Sequence, residues 1–163
     1  MKNIIVILLT LILSTNLMAA GSDSSSGSSS NEESLYEDAV KLVKRAGKFE
    51  KKDKTDKAKK LYSQAFDKLE KAYKSDKTNP DILNYMGFTT RKIGNFEKAE
   101  KFYLEGLSLK PNHHGINEYL GELYVQTNRL DKANERLNVL KSCNCEEYGE
   151  LELIIKTKGS KVY

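Results

Sequence analysis

Histidine is scarce in this sequence, and the patterns that usually build catalytic or metal centres are lacking. The two histidines, His113 and His114, are adjacent on a predicted turn, where neighbouring side chains point apart and chelate one ion poorly. A zinc site that also used Cys143 and Cys145 would need two distant turns to meet, and the spacing is typical of no zinc finger. There is no glycine-rich phosphate loop and no recognisable Ser/His/Asp or Cys/His arrangement. We therefore predict no enzyme activity, no cofactor and no metal site.

Long apolar runs are lacking as well. The apolar run from Ile4 to Leu13 is shorter than the about 20 residues that span a bilayer. It follows the basic Lys2 and precedes small residues that end at Ala20, which is the order of a secretory signal peptide. We predict cleavage after Ala19 or Ala20 and a periplasmic or secreted bacterial protein without stable membrane insertion, the alternative being an uncleaved N-terminal anchor. No cysteine lies near the small residues, so a lipoprotein anchor is not supported.

The chain also has no strong excess of charge of one sign. Removal of Lys2 with the signal peptide leaves 26 basic residues against 23 acidic ones. Lysines are dense between residues 48 and 77, but acidic residues interleave with them and several pairs have the helical i,i+4 order. We interpret this segment as a solvated helix face. A nucleic-acid binder would carry a clustered basic footprint, so we predict no nucleic-acid partner.

Two further segments are a serine-rich stretch and a pair of closely spaced cysteines. Residues 21–31 are serine with a little glycine and aspartate, and because they offer nothing apolar to bury we predict a disordered linker. Cys143 and Cys145 are separated only by Asn144, in a predicted turn. An exported protein meets an oxidising compartment, so we predict a disulfide between these two cysteines. A bond between two chains remains the alternative.

The remaining sequence contains an internal repeat. Gly87 and Gly121 lie 34 residues apart, as do Ala99 and Ala133, and the residues around them recur with the same spacing. Within each unit, apolar residues recur at intervals of three and four, which predicts two helices with one buried face each. Glycine or asparagine stands between the two helices, where a left-handed conformation ends a helix. We expect the recurring glycine to lie where two helices cross closely.

This unit resembles the tetratricopeptide repeat, since Met86-Gly87 and Leu120-Gly121 occupy its Leu-Gly place. The resemblance implies an all-α, right-handed helix-turn-helix solenoid over residues 32–158. Its parts would be a degenerate repeat at about 35–77, full repeats at 80–113 and 114–145, and a capping helix at 146–157. The degenerate repeat has seven extra residues, or two helical turns, so we expect its second helix to be elongated and to end near Ser75 or Asp76.

The resemblance also implies a concave groove lined by the first helix of each repeat. The predicted groove residues share one helical stripe in each full repeat: Asn84, Phe88, Arg91 and Lys92, then Glu118, Glu122, Val125 and Gln126. Phe88 is the apolar residue of the first stripe, and an aromatic anchor beside Arg and Asn suits a peptide-binding groove. The alternative is that Phe88 packs against the elongated helix of the first repeat.

Function follows from the groove and from the lack of a catalytic arrangement. We predict a non-catalytic scaffold of the bacterial cell envelope that binds a protein or peptide partner. One alternative is a redox or small-substrate enzyme that uses the Cys143/Cys145 turn. Another is a self-associating protein that pairs through a face formed by Ile154 and Ile155.

Overall fold

The computed structural model describes residues 26–159, with side chains described from residue 33 onward. The predicted signal peptide at residues 1–20 and the first part of the predicted linker lie outside the described residues. Within the described part of the chain, every helix is too short or too polar to span a bilayer.

Residues 26–159 form seven α-helices and no strand. They are α1 (Ser26–Glu50), α2 (Thr55–Ser75), α3 (Pro80–Lys92), α4 (Phe96–Leu109), α5 (His114–Gln126), α6 (Leu130–Leu140) and α7 (Glu146–Lys156). Helices α1 and α2, α3 and α4, and α5 and α6 pack as pairs, and α7 covers the end of the last pair. The elongated second helix ends at Ser75, as the seven extra residues predict.

The pairs stack into a right-handed two-layer solenoid, the predicted fold. The first helices α1, α3, α5 and α7 each contact the next one and form the concave layer, while α2, α4 and α6 form the outer layer. The core between the layers runs the length of the stack and consists of these large, fully buried side chains: Tyr62, Leu69, Ile82, Leu83, Tyr103, Ile116, Leu120, Leu123, Leu140 and Leu151.

Local signals set the helix boundaries. Asn79 caps α3 by accepting a hydrogen bond from the Asp81 amide, with Pro80 in the first helical position, where its missing N–H costs nothing. Asn95 caps α4 through the Lys98 amide. The turns inside the two full repeats pass through Gly94 and Asn128, at φ 96° and 59°. Both turns therefore have the predicted left-handed residue.

Glycine at the repeated position permits close helix packing. A Cβ atom on Gly87 would collide with the Tyr103 ring of α4, and one on Gly121 would collide with the Leu151 side chain of α7. The crossing predicted within each repeat is therefore present at Gly87 in the first full repeat. In the second full repeat the close neighbour of Gly121 is the capping helix and not α6.

Three expectations from the sequence need correction. Helix α1 begins at Ser26, so backbone that we expected to be linker is helical, because a packed helix extends at low cost through serine. The three-and-four spacing in the first full repeat places Phe96 and Leu109 on the buried face of its second helix, but both are exposed, since they lie at the two ends of α4. Ile154 is fully buried and Ile155 packs on the same cluster, so the proposed self-association face belongs to the core.

Candidate binding groove

A pocket of about 270 Å³ opens on the concave layer of the solenoid. All four first helices contribute to its wall, and one residue comes from α2. The lining residues are Gly47, Glu50, Tyr62, Phe88, Arg91, Lys92, Glu118, Tyr119, Glu122 and Glu150. Five of the predicted groove residues are among them: Phe88, Arg91, Lys92, Glu118 and Glu122. These five side chains therefore share one pocket, and their role in binding a partner stays a prediction.

Arg91 is a buried residue in the wall of this pocket. Its Nη1 atom lies 2.6 Å from Glu122 Oε2, and the two side chains are only 3% and 6% exposed. The same nitrogen donates to Gln126 Oε1 at 3.2 Å. The buried Nε atom has no hydrogen-bond partner among the described residues. Arg91 thus joins α3 to α5 in the wall of the pocket.

Phe88 lies between two tyrosine rings. Its centroid is 5.9 Å from that of Tyr62 on α2, edge to face, and 4.9 Å from that of Tyr119 on α5. The contact with Tyr62 confirms that Phe88 packs against the elongated helix, and its place in the pocket wall agrees with the anchor interpretation. The ring is half-buried, and its role as an anchor for a peptide stays a prediction.

Lys92 joins α3 to the end of α1. Its Nζ atom lies 2.8 Å from Glu50 Oε2, with the two side chains 17% and 32% exposed. Tyr62 donates its hydroxyl to the same carboxylate oxygen at 2.9 Å. The Lys92 ammonium also lies 5.7 Å from the centroid of the Phe88 ring. Both cations of the groove are therefore paired with a carboxylate and lie beside an aromatic ring.

Glu118 is buried among other acids. Burial, together with the adjacent Glu150 carboxyl group and the charges of Glu122 and Glu147, raises the pKa of Glu118 to about 10. At neutral pH the Glu118 carboxyl is therefore protonated. Its Oε1 atom is buried without a hydrogen-bond partner among the described residues.

Two predicted groove residues do not line the pocket. Asn84 is 7% exposed and lies against the start of α5, where a Cβ on Gly115 would come within 2.9 Å of its amide nitrogen. Val125 is 6% exposed and belongs to the apolar core. Helix α5 crosses close to α3 at its N-terminal end, which encloses Asn84 and leaves the groove to the C-terminal half of α3. Gln126 is exposed and contributes only through Arg91.

Five lining residues are not in the predicted groove set. Gly47 and Glu50 lie three positions apart on α1, the first helix of the degenerate repeat, so extending the stripe to that helix would have found both. Glu150 lies on α7, and treating the capping helix as one more first helix would have suggested it. Tyr62 matches the repeat pattern as a core residue, and Tyr119 lies beside the predicted stripe, so neither carried a signal for the groove.

A second cluster lies at the turns between repeats. Cys143 and Cys145 have Cα atoms 5.2 Å apart and sulfur atoms within bonding distance, and Asn144 between them adopts φ 50°. Ligand atoms of His114, Cys143 and Cys145 all lie within 4.8 Å of one another. Our expectation that these turns are too distant to meet is wrong, because turns between successive repeats stack at the same end of a solenoid.

His113, which the sequence places on a turn beside His114, is buried and not an exposed turn residue. His113 is 8% exposed, its Nδ1 atom accepts from the Ile116 amide at 3.2 Å, and its Nε2 atom lies 2.9 Å from Asp81 Oδ1. It caps α5 and joins this helix to the start of α3.

Fold and groove together define the class: an all-α repeat protein with the tetratricopeptide-type solenoid and a concave pocket. No protein-family model matches the chain. Human protein O-mannosyl-transferase TMTC3 is 31% identical over 71 residues, which cover 44% of this chain and 8% of that protein. The match thus spans less than a tenth of the length of this curated relative.

Two solved structures illustrate the likeness. The type III secretion translocator chaperone SycD of Yersinia enterocolitica superposes with a TM-score of 0.61 at 18% identity, covering 80% of this chain and 89% of that one. The first TPR of Spaghetti (RPAP3), bound to the HSP90 peptide SRMEEVD, gives a TM-score of 0.49 at 22% identity, covering 75% and 96%. The likeness to SycD shows the fold.

Proposed function

We propose that this chain is a non-catalytic scaffold of the bacterial cell envelope that binds a protein or peptide segment in its concave groove. One observation carries the proposal: the pocket joins side chains of all four first helices and combines three aromatic rings with four carboxyl groups and two cations. Such a wall can offer apolar contact and charged groups to one protein segment together.

The charges of the pocket favour a segment with a basic side chain. Its wall has four carboxyl groups and two cations. Arg91 pairs with Glu122 and Lys92 with Glu50. The remaining acids, Glu118 and Glu150, lie side by side. An incoming ammonium or guanidinium group would displace the proton of Glu118 and satisfy both carboxylates.

The aromatic side chains of the wall suit the same ligand. The pocket includes the rings of Tyr62, Phe88 and Tyr119. Aromatic faces attract cations, and rigid rings give contact area at a low cost in conformational entropy. The envelope location rests on the sequence alone, through the predicted signal peptide of residues 1–20.

The test uses the mature chain as bait in an envelope extract, with three single variants. Phe88→Ala removes one of the three aromatic rings of the wall, and Glu118→Gln keeps the shape of the protonated acid but cannot ionise. Phe96→Ala is the matched control, because this exposed ring belongs to the first residue of α4 and does not line the pocket. We expect Phe88→Ala and Glu118→Gln to lose the same partners, while Phe96→Ala keeps them.

Partner sets that are identical for all four baits would contradict the groove as the binding site. Loss with Phe88→Ala but full retention with Glu118→Gln would keep the groove and reject a basic ligand at Glu118. Circular dichroism of each bait before the experiment separates lost binding from lost folding.

A further inference from the structure

Independently of the groove, the turns that hold His114, Cys143 and Cys145 carry a second site. We propose that these three residues bind one Zn²⁺ ion when the two cysteines are reduced. Their ligand atoms already lie within 4.8 Å of one another. Thiolate sulfur and imidazole nitrogen are the preferred protein ligands of zinc, and three protein ligands leave the fourth tetrahedral position open to water.

The repeat register brings these ligands together. Pro111 and Cys145 lie 34 residues apart, so they occupy equivalent turns of successive repeats. His114 is the first residue of α5, directly after one turn, and Cys145 precedes the first residue of α7, directly after the next. Stacking of the two turns therefore places an imidazole beside a pair of sulfur atoms, which a fold of unrelated loops would do only by chance.

The turn before His114 is held from two sides. The buried Asn117 side chain donates to the carbonyl oxygens of Pro111 and His113, both at 3.0 Å. The His113 ring contacts Asp81 on α3 and the Ile116 amide on α5. His114 itself is exposed, and both cysteines are half-buried. A fixed backbone with accessible ligand atoms suits an ion that enters from solvent.

The chemistry of loading is a thiol–disulfide exchange followed by metal binding. A dithiol reductant transfers two electrons and two protons to the bonded Cys143–Cys145 pair and leaves as its own disulfide. Each protein thiol then releases a proton as its sulfur binds Zn²⁺, and His114 binds as the neutral imidazole. In the oxidised chain the two sulfur atoms bond to each other and the ion has no thiolate ligand. Binding is thus restricted to the reduced form.

The test is a titration of the purified mature chain with Co²⁺, which has the same tetrahedral preference as Zn²⁺ and is coloured. The chain is first reduced with a dithiol and desalted without oxygen. We expect thiolate-to-cobalt charge-transfer absorption and tetrahedral visible bands that saturate at one ion per chain. Stoichiometric Zn²⁺ should abolish both. The air-oxidised chain should show neither.

His114→Ala tests whether the histidine is a ligand. This variant should weaken Co²⁺ binding at least about tenfold and remove the tetrahedral bands, while Lys141→Ala, an exposed change beside the same turn, should leave both unchanged. The double variant Cys143→Ser, Cys145→Ser should bind no Co²⁺ at this site.

Three results would overturn the proposal. They are equal Co²⁺ affinity of reduced wild type and His114→Ala, saturation at one ion per two chains, and absence of thiolate charge transfer in the reduced wild type. Circular dichroism of every variant checks that the helices are intact, so that lost binding reports a lost ligand.

Discussion

Glu118 and Arg91 are both buried in the groove, yet their charges meet different surroundings. Arg91 has a carboxylate, that of Glu122, at 2.6 Å. Glu118 instead meets the carboxyl group of Glu150, so burial and like charge both act against its ionisation. The charge of Arg91 is therefore compensated by a carboxylate, whereas the Glu118 carboxyl group is kept neutral by its proton.

The first prediction concerns the pH dependence of stability. The folded chain holds the Glu118 proton up to a pKa of about 10, whereas the unfolded chain releases it near 4.5. The unfolded state binds fewer protons over this interval, so the contribution of Glu118 to the free energy of unfolding falls as pH rises, by up to about 1.4 kcal/mol per pH unit. Glu118→Gln removes this slope.

Urea unfolding of wild type and Glu118→Gln at several pH values measures the effect. The variant should gain stability relative to wild type from pH 5 to pH 9. Glu97→Gln, at an exposed position of α4, should follow wild type throughout. A difference between Glu118→Gln and wild type that stays constant over this range would contradict the assignment.

A second prediction compares the two cations of the groove. Arg91→Met leaves the Glu122 charge buried without its partner and should lower the free energy of unfolding by about 3–5 kcal/mol. Lys92→Met breaks the more exposed pair with Glu50 and should cost about 1 kcal/mol or less. The double variant Arg91→Met, Glu122→Leu should recover much of the loss. Similar costs for both single changes, measured by urea unfolding, would argue against the difference in burial.

Residue by residue, the repeat pattern predicted which helix face lines the groove but not how deep each side chain lies. Phe88 and Arg91 are on the predicted stripe and in the pocket. Asn84 is on the same stripe, but the approach of α5 at Gly115 encloses it. The spacing of residues along one helix predicts the face on which a side chain lies. The burial of that side chain depends on how far the neighbouring helix extends, which is a property of the packing between helices.

At the scale of helices, the small residues of the repeat decide how closely neighbours approach. The third prediction is that Gly87→Ala lowers the free energy of unfolding by about 1–3 kcal/mol, because the new methyl group meets the buried Tyr103 ring. A glycine in an open helical position should behave in the opposite way. Gly149 on α7 has nothing within 4 Å of its Cβ direction. Gly149→Ala should therefore stabilise the chain by about 0.5–1 kcal/mol.

Chemical denaturation of the two alanine variants checks this pair. If Gly87→Ala were as stable as wild type, Tyr103 would be free to move and the close crossing would not be required. Helix propensity favours alanine at both positions. A loss of unfolding free energy in Gly87→Ala together with a gain in Gly149→Ala would therefore be due to steric packing at Gly87.

The proximity of the two turns that carry His114 and the cysteines follows from the repeat alignment. Equivalent turns stack, so the 34-residue offset between Pro111 and Cys145 places His114 close to both cysteines. The prediction that the two turns are distant did not apply this offset and was therefore wrong. The sequence therefore predicts proximity wherever the repeat register is applied to the turns as well as to the helices. The burial of His113 needs the additional contact with Asp81, which no register indicates.

Across the whole molecule, the groove side chains connect each first helix to the next. Glu50 and Lys92 join α1 to α3, and Arg91 and Glu122 join α3 to α5. Glu118 meets Glu150 between α5 and α7. Because the last contact is between two acids, α7 depends on its apolar face for attachment. That face includes the buried residues Leu151 and Ile154.

The last prediction follows from this asymmetry. In a solenoid each repeat contacts only its neighbours, so damage at one end should remain near that end. Leu151→Ala removes the side chain that fills the space above Gly121 and should cost about 2–5 kcal/mol locally. We expect faster native-state amide exchange in α7 and in the part of α5 beneath it. Exchange in α1 and α2 should match wild type.

Leu153→Ala is the control on the same helix, because Leu153 is 38% exposed. Its exchange pattern should equal that of wild type. If Leu151→Ala instead accelerated exchange equally in all seven helices of the described segment, the stack would open as one unit. The ion pairs between α1, α3 and α5 would then transmit the loss of the cap along the whole concave layer, and a ligand in the groove would be expected to stabilise every repeat together.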